Sequence, residues 1–341
     1  MYAIIRSILF SFDAEKVHNL TMWFMSRMTF LYPLFRMLYN PGETGPIEIA
    51  GLKFRNKLGL AAGLDKNAVA VRAWEALGFS HVEVGTVTPL PQPGNDKPRI
   101  FRLRKDNALI NRLGFNNVGA EKLRENILSA RRKLDKDFII GVNIGKNKTT
   151  PLENAKDDYI KCMHILFDVA DYFTINISSP NTEQLRELHK EEHLDELLAQ
   201  LMNLNRELAG KYVVAEKPIF LKIAPDLEDD GIDDVYRLAY KSGLTGIIAT
   251  NTTIARDGLT SGINESGGLS GQPLKRKADA VLKKLNELNL QNEKGKMVLI
   301  GVGGVFGRDD FDDKMRNGAG LVQIYTGFIY RGPGIIKKIL N

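Results

Sequence analysis

The chain has 341 residues, of which 43% are hydrophobic, and it carries a net charge of +6. This length provides for one large core, although length alone does not separate one domain from two. The basic excess suits an anionic ligand or an anionic membrane surface, but the lysines and arginines are scattered, which argues against nucleic acid. Cys162 is the only cysteine, so an intrachain disulfide is excluded and a reducing cytoplasm is favoured.

Residues 1–40 are rich in large apolar side chains, but charged residues interrupt every apolar run. The segment therefore fits neither a signal peptide nor a transmembrane span. Asp13 is predicted to cap a helix whose apolar residues share one face: Ala14, Val17, Leu20, Phe24 and Met28. Two compatible interpretations stay open. The segment is a small helical pair packed on the main domain, or an amphipathic module lying on a membrane surface.

After residue 45 a pattern repeats in which a short apolar run is followed by a helix-like charged stretch. Eight such runs occur, at 58–62, 81–87, 138–144, 172–177, 219–223, 246–250, 297–302 and 321–325. Helix-like segments between them include 122–133, 157–169, 193–208, 229–242 and 275–288. Eight such units predict a (β/α)8 barrel over residues 41–341. The long intervals 88–137 and 252–296 predict extra hairpins or lids above the barrel mouth.

The carboxyl ends of these runs carry asparagine, lysine, threonine and glycine rather than metal ligands or paired carboxylates. In such barrels these ends carry the chemistry, so a polar, planar, anionic ligand is expected. The segment 172–182 is the most informative, because it ends in Asn176, Ser178, Ser179 and Asn181 and contains no histidine or acidic residue after the strand. Any base in that segment would be a serine.

Three further patterns point to ligand chemistry. Glycines at 301, 303 and 304, with 318 and 320 after the next helix, predict a phosphate cradle. Lys66 and Lys222 each end an apolar strand, where an ammonium needs an anion. Lys222 suits either a Schiff base or charge stabilisation of a reduced flavin. Residues 189–193 match a zinc pattern, but a solvated helix start is the preferred interpretation, and no metal is expected.

In this order the strand ends resemble those of the dihydroorotate dehydrogenase family, in its membrane-associated, quinone-dependent class 2 branch. The motifs that carry the resemblance lie at 60–66, 111–117, 176–181, 221–226, 249–252, 267–273, 300–304 and 323–327. In the class 1 branch the base is a cysteine and no helical extension precedes the barrel. Here Ser179 and the extension are both present, so two independent features select class 2.

The resemblance implies Ser179 as the catalytic base and assigns the other strand-end residues to three sites. The substrate site comprises Lys66, Asn111, Arg112, Leu113, Gly114, Phe115, Asn176, Asn181, Asn251 and Thr252. The FMN site comprises Ala61, Ala62, Gly63, Leu64, Asp65, Lys66, Thr86, Asn143, Asn176, Lys222, Thr250, Gly271, Gly304, Tyr325 and Thr326. A quinone tunnel between the N-terminal helices and the flavin comprises His18, Arg102 and Tyr325.

The implied reaction is oxidation of dihydroorotate to orotate in pyrimidine biosynthesis, with hydride passing to FMN and electrons then passing to a membrane quinone. The resemblance places the protein peripherally on the cytoplasmic side of the cell membrane, and a monomer is compatible with it. Two rivals stay open: an FMN barrel reductase acting on another ring, and a flavin-free barrel lyase that uses Lys222 as a Schiff base. A non-enzymatic membrane-surface protein is disfavoured by eight polar strand ends.

Overall fold

The computed structural model describes residues 2–42, 45–179, 181, 191–263 and 265–341. The helices are α1 (Tyr2–Leu9), α2 (Ala14–Arg27), α3 (Tyr32–Tyr39), α4 (Val71–Leu77), α5 (Ala120–Arg131), α6 (Ala155–Leu166), α7 (Glu191–Tyr212), α8 (Asp229–Lys241), α9 (Lys275–Gln291), α10 (Arg308–Arg316), α11 (Thr326–Arg331) and α12 (Gly334–Leu340). The strands are β1 (Ile47–Ile49), β2 (Leu52–Phe54), β3 (Leu58–Leu60), β4 (His81–Val87), β5 (Ile100–Leu103), β6 (Ala108–Asn111), β7 (Ile139–Ile144), β8 (Tyr172–Asn176), β9 (Ile219–Ile223), β10 (Gly246–Ala249), β11 (Gly268–Gly271), β12 (Val298–Val302) and β13 (Leu321–Ile324).

Eight strands close into a barrel in the order β3, β4, β7, β8, β9, β10, β12 and β13, and β13 pairs with β3. Every pairing in the barrel is parallel. Each barrel strand coincides with one of the eight apolar runs, so the predicted (β/α)8 barrel is confirmed. Buried apolar side chains between the barrel and its surrounding helices form the main core, as expected where both faces of a parallel sheet are covered.

The amino end of the barrel is closed by tightly packed side chains. The β1–β2 hairpin contributes Phe54, whose ring meets the buried His81 ring edge-on at 5.3 Å. Gly59 lies so close that an added Cβ would fall 2.0 Å from His81 Nε2. Gly141 is in the same position against Tyr172, at 1.9 Å from its Cζ. No side chain larger than hydrogen fits at either position, so this end is a packed floor rather than an opening.

Both long intervals contribute to a small sheet over the barrel mouth. β5 and β6 form an antiparallel hairpin, and β11 pairs with β6 through the register Gly268↔Asn111. The first interval therefore holds the expected hairpin, and the second adds a single strand to it. The sheet brings Asn111, from the first interval, beside β11, which lies in the second interval and ends at Gly271.

The N-terminal helices pack on the barrel with one face and leave another face exposed. Asp13 caps α2 as predicted, accepting a hydrogen bond from the Lys16 amide at 2.8 Å. Met22 and Met25 are buried in the main core, whereas Leu20 and Phe24 are exposed. The barrel therefore covers the side of α2 that carries Met22 and Met25, and it leaves Leu20 and Phe24 of the predicted apolar face exposed. None of the helices in the described part of the chain is long and apolar enough to cross a membrane.

Candidate active site

A pocket opens at the carboxyl ends of the barrel strands and encloses about 980 Å³ of atom-free space, part of it open to solvent. Most of the sequence-predicted residues line it: Ala61, Ala62, Gly63, Lys66, Thr86, Asn111, Leu113, Gly114, Phe115, Asn176, Ser179, Asn181, Lys222, Thr250, Asn251, Thr252, Gly271, Gly304, Tyr325 and Thr326. Gly303, part of the predicted phosphate cradle, also lines the pocket, as do seven residues that were not predicted as ligand contacts: Ser270, Leu274, Val302, Val305, Gln323, Ile324 and Gly327.

The polar wall of the pocket is a chain of side-chain hydrogen bonds that joins the ends of β4, β7, β8 and β10. Asn176 Nδ2 donates to Thr86 Oγ1 at 2.8 Å, and Thr86 in turn donates to Asn143 Oδ1 at 2.5 Å. On its other side, Asn176 Oδ1 accepts from Asn251 Nδ2 at 3.4 Å. Because each amide is held by the next, the wall presents donors and acceptors in fixed directions. Such an arrangement suits a flat ligand with polar edges.

Of the two serines that follow β8, Ser179 is the one that lines the pocket. It is 5% exposed and lines the cavity, and its Oγ accepts a hydrogen bond from the Asn181 amide at 3.3 Å. The adjacent Ser178 is fully buried and belongs to the supporting network, since its Oγ accepts from Asn251 Nδ2 at 3.0 Å. The two serines of the segment therefore have different positions, and Ser179 has the one suited to proton transfer with a ligand.

Lys222 lies at the base of the pocket. It is paired there with a buried carboxylate, that of Glu83, which was not predicted from the sequence. Its ammonium forms an ion pair with Glu83 of β4 at 3.5 Å. Burial alone would raise the pKa of Glu83, but the charge of Lys222 and the hydrogen bonds from Gln323, Asn143 and Thr174 outweigh it and hold that pKa below its ordinary value. The available signal was a single acidic residue inside the otherwise apolar run of β4.

Lys66 stands between this pocket and a second cavity. Its Nζ donates to Asn116 Oδ1, and the side chain lines both cavities. Burial, followed by the positive charge of Arg99, lowers the pKa of Lys66 to about 7. A carboxylate bound beside it would favour the charged form, so Lys66 is suited to an anionic ligand.

The second cavity lies between α2 and the barrel and encloses about 760 Å³ of atom-free space, part of it open to solvent. Helix α2 contributes Glu15, His18, Asn19 and Met22 to its wall, and the cavity shares Gly63, Lys66, Leu113 and Tyr325 with the first pocket. Burial, and then the charge of Lys66, lower the pKa of His18 to about 4. His18 is thus a neutral imidazole at neutral pH, placed on the far side of the wall from the pocket.

Arg102, expected beside His18, is not among the residues lining either cavity. Its guanidinium instead donates to the carbonyl oxygen of Phe12 at 2.7 Å and lies 4.6 Å from the centroid of the Phe10 ring. Arg102 therefore stabilises the segment that joins α1 to α2. Carbonyl groups that follow a helix lack intrahelical partners and attract a cation.

Four other expected ligand contacts lie outside the first pocket. The Asp65 carboxylate accepts from the Val69 and Ala70 amides at the start of α4 and from Trp74 Nε1 at 2.9 Å, and neighbouring Leu64 lines the second cavity. Arg112 forms an ion pair with Glu265 at 2.6 Å. Asn143 is fully buried behind Thr86. These residues support the pocket wall, and a strand-end position alone does not show which way a side chain points.

The predicted phosphate cradle is partly wrong. Gly303 and Gly304 line the pocket with left-handed backbone, and a Cβ on Gly304 would lie 2.5 Å from Lys275 Cα. Residues 318–320, however, come before β13, and the Gly320 amide donates to Leu299 at the start of the neighbouring strand. They lie at the amino end of the barrel, opposite the pocket. The zinc-like pattern at 189–193 falls partly outside the described residues.

Comparison with known proteins identifies the family of the chain. The sequence profile described as dihydroorotate dehydrogenase matches residues 46–341. The chain belongs to the dihydroorotate dehydrogenase family. A "Dihydroorotate dehydrogenase (quinone)" of Dechloromonas aromatica is 47% identical over 99% of this chain and 96% of the relative. One of Aliivibrio fischeri with the same name is 46% identical over 100% of this chain and 99% of the relative.

Solved structures of dihydroorotate dehydrogenases agree with this membership. The crystal structure of the Eimeria tenella enzyme in complex with ferulenol superposes with a TM-score of 0.88 at 36% identity, covering 96% of this chain and 90% of that one. Its ligand-free form gives 0.86, covering 96% and 93%. A dihydroorotate dehydrogenase is a flavin-dependent oxidoreductase, so membership of the family implies a flavin cofactor.

The residues of the pocket fit a flavin. Gly303 and Gly304 line the pocket with left-handed backbone, and glycine turns of this kind can present amide groups to a phosphate. Gln323 lines the pocket, and its buried Oε1 has no hydrogen-bond partner among the described residues, so it is available to an N–H of a ligand. Lys222 supplies a positive charge at the pocket base.

Proposed function

We propose that this protein oxidises dihydroorotate to orotate in pyrimidine biosynthesis, with FMN as its flavin and a membrane quinone as the final electron acceptor. The observation that supports this most strongly is the position of Ser179, a serine that follows β8 and lines the pocket next to a wall of asparagine amides. That combination suits removal of a proton from a polar ring. The names of the relatives, which are similar over nearly the whole chain, support the same reaction.

Ser179 would take the proton from C5 of dihydroorotate. FMN, when bound, supplies a hydride acceptor for C6 and a two-electron donor for the quinone. Asn111, Asn176 and Asn251 line the pocket with amides that would bind the ring edges and carboxylate of the substrate. Lys66 would offset the charge of that carboxylate, and burial of the site strengthens each of these interactions.

The phosphate of FMN would lie against the glycine backbone at Gly304 and Gly271, where an added Cβ would collide with backbone atoms. Lys222 would hold positive charge against the pyrimidine part of the flavin, where negative charge develops on reduction.

Quinone would approach through the second cavity. That cavity adjoins the proposed flavin pocket, since Lys66 and Tyr325 line both of them. Residues 1–40 would then act as a module that rests on the cytoplasmic side of the cell membrane. Eleven of the nineteen exposed large hydrophobic side chains of the described chain fall within residues 4–38, including Trp23, Phe30 and Met37. Such a concentration is typical of an interfacial surface.

A single spectroscopic experiment tests the reaction. The purified protein should be yellow, lose that colour when dihydroorotate is added without oxygen, and regain it with a quinone. A yellow protein that dihydroorotate does not bleach would favour another ring reductase. A colourless protein that stays so after incubation with FMN would contradict the proposal and return Lys222 as a Schiff base, which borohydride trapping with an aldehyde would detect.

Binding to vesicles tests the membrane surface. The triple variant Trp23→Gln/Phe30→Gln/Met37→Gln should bind anionic lipid vesicles less well and lose reaction with long-chain quinone, but it should keep flavin reduction by dihydroorotate. Leu290→Gln, at an exposed position in α9, is the matched control and should change none of these. Equal vesicle binding by the triple variant and the wild type would reject the surface.

A further inference from the structure

Glu83 has no place in the proposed reaction, yet it is the acidic partner of a pocket lysine. It is 0% exposed and does not line the pocket. A buried carboxylate is costly unless it is paired and hydrogen-bonded, so its neighbours should explain why β4 carries it.

Every described neighbour of the Glu83 carboxylate is a donor. Oε1 accepts from Asn143 Nδ2 at 2.8 Å and faces Lys222 Nζ at 3.5 Å. Oε2 accepts from Thr174 Oγ1 at 3.1 Å, Gln323 Nε2 at 3.1 Å and Tyr172 Oη at 3.3 Å. An ionised carboxylate only accepts hydrogen bonds, so it satisfies this set. An amide at the same place would turn an N–H toward one of the donors.

The barrel register places this cluster directly beneath the ligand-facing layer. Asn176 pairs with Lys222, and Asn143 pairs with Thr174, on adjacent parallel strands. Asn143 supports Thr86, which lines the pocket. Lys222 and Gln323 both contact the Glu83 carboxylate, and both line the pocket themselves. The carboxylate is therefore one layer below the ligand and at the centre of the residues that would contact it.

We propose that Glu83 is a positioning residue for Lys222, and that its carboxylate keeps the lysine as an ammonium at the pocket base in both oxidation states of the flavin. Without that carboxylate the oxidised protein would hold an uncompensated buried cation, and Lys222 would lose its proton. Reduction, which places negative charge on the flavin, would bring the proton back. This inference rests on the proposed placement of FMN beside Lys222.

Other titratable groups near this layer do not provide the same compensation. Tyr172 stays neutral, since burial and the Glu83 charge raise its pKa, and burial lowers the pKa of His81 on β4 to about 4. In the pocket, burial raises the pKa of Tyr325 to about 12. Lys66 titrates at about 7, but it does so in every variant compared below, so it cancels in their differences.

The test is the midpoint potential of the bound flavin, measured from pH 6 to 9 by dithionite reduction against a reference dye. Glu83→Gln should add one proton to the two-electron reduction. Each added proton changes the equilibrium constant tenfold per pH unit, so the potential should fall more steeply than in the wild type by about 30 mV per pH unit. Thr174→Val, which removes one donor but leaves the carboxylate, should keep the wild-type slope.

A Glu83→Gln slope equal to that of the wild type would overturn the proposal. So would a potential raised equally at every pH, because the carboxylate would then act on the flavin directly rather than through Lys222. Lys222→Met separates this failure from that of the proposed function. If Lys222→Met leaves the potential unchanged, the placement of FMN is wrong; if it shifts the potential while Glu83→Gln keeps the wild-type slope, only the role of Glu83 is wrong.

Folding provides a second measurement if Glu83→Gln is unstable. The double variant Glu83→Gln/Lys222→Met removes both groups, and it should be more stable than Glu83→Gln alone, since a buried lysine without its carboxylate must either stay charged or give up its proton, and both cost free energy. If the double variant is as unstable as Glu83→Gln, then Glu83 is needed for packing independently of Lys222, and the proposal is rejected.

Discussion

The two cavities that meet at Lys66 are built differently. The first pocket is formed by strand ends and short following turns, and strand hydrogen bonds fix its side chains in place. The second is closed on one side by α2, whose outer face is exposed. The difference indicates a division of labour. Proton and hydride transfer need fixed geometry, whereas entry of a large apolar molecule needs a wall that approaches a membrane.

Removing the hydroxyl of the rigid pocket should give the largest effect. Ser179→Ala should slow flavin reduction by about 10²–10⁴-fold, the usual contribution of a general base, while dihydroorotate still binds. Stopped-flow reduction measures the rate, and titration of the flavin spectrum measures binding. Ser179→Cys should recover part of the rate with a pH profile shifted to lower pH, since a thiol has a pKa of about 8.5. An unchanged single-turnover rate in the alanine variant would contradict the assignment of the base.

On the helical side, the strongest single attachment is the ion pair between Glu15 and Arg99. The two groups are 2.7 Å apart, with side chains that are 10% and 6% exposed. Glu15→Ala should lower the free energy of unfolding by about 3 kcal/mol, because it leaves the buried Arg99 cation without a carboxylate to balance its charge. Chemical denaturation measures this, and Glu121→Ala on the outer barrel helix α5 is the control.

The same pair should give the attachment a pH dependence. Burial opposes ionisation of Glu15, but the hydrogen bond and charge of Arg99 outweigh it and hold the pKa of Glu15 below its ordinary value. The stabilisation is therefore complete above about pH 4.5, the ordinary value for a glutamate, and is lost as the pH falls through the lower folded-state pKa. A wild-type and a Glu15→Ala protein that lose stability in parallel at acid pH would argue against this.

Lys66, in the wall common to both cavities, should make ligand binding depend on pH. Its pKa of about 7 in the free protein rises when a carboxylate binds beside it. Orotate affinity should thus be constant below pH 6 and fall by about tenfold per pH unit above 7. Calorimetry in buffers of different ionisation enthalpy would detect the proton uptake. Lys66→Met should bind more weakly and without this pH dependence, and a wild-type affinity independent of pH from 7 to 9 would exclude the role of Lys66.

The smallest expected effect concerns the start of α2. Asp13→Ala removes the cap on the Lys16 amide and should destabilise the helix by roughly 1 kcal/mol. Hydrogen exchange should increase in the first turn of α2 but not in β8, the strand that precedes Ser179. Equal increases in both would mean that the two cavities are coupled more closely than their construction suggests.

Barrel, family and most pocket residues were predictable from sequence for a physical reason. A strand buried on both faces must be an apolar run, and in a parallel barrel all the residues that follow such runs meet at one end. The eight runs therefore located both the strands and the pocket. Glu83 was missed because it lies within a run, where the apolar pattern hides one inward-facing acid.

Directions of side chains and of helix faces were harder to predict. Helix α2 has more than one apolar stripe, and nothing local shows that Met22 and Met25 rather than Leu20 and Phe24 meet the barrel. Asp65 and Arg112 follow strands like the true pocket residues, but local hydrogen bonds and an ion pair turn them away. The glycines at 318–320 were assigned by their spacing, although they precede a strand and so lie at the opposite end.

The roof of the pocket also has a consequence for how the chain folds. Ser270 of β11 donates to the Leu109 carbonyl across 161 residues of sequence, and Gln323 reaches Glu83 across 240. Contacts so distant along the chain form slowly, because their loop-closure entropy is lost before they stabilise anything. The complete pocket that we propose for the flavin therefore exists only once nearly the whole barrel has formed. Flavin present during synthesis should stabilise the finished protein by mass action and leave the early steps of folding unchanged.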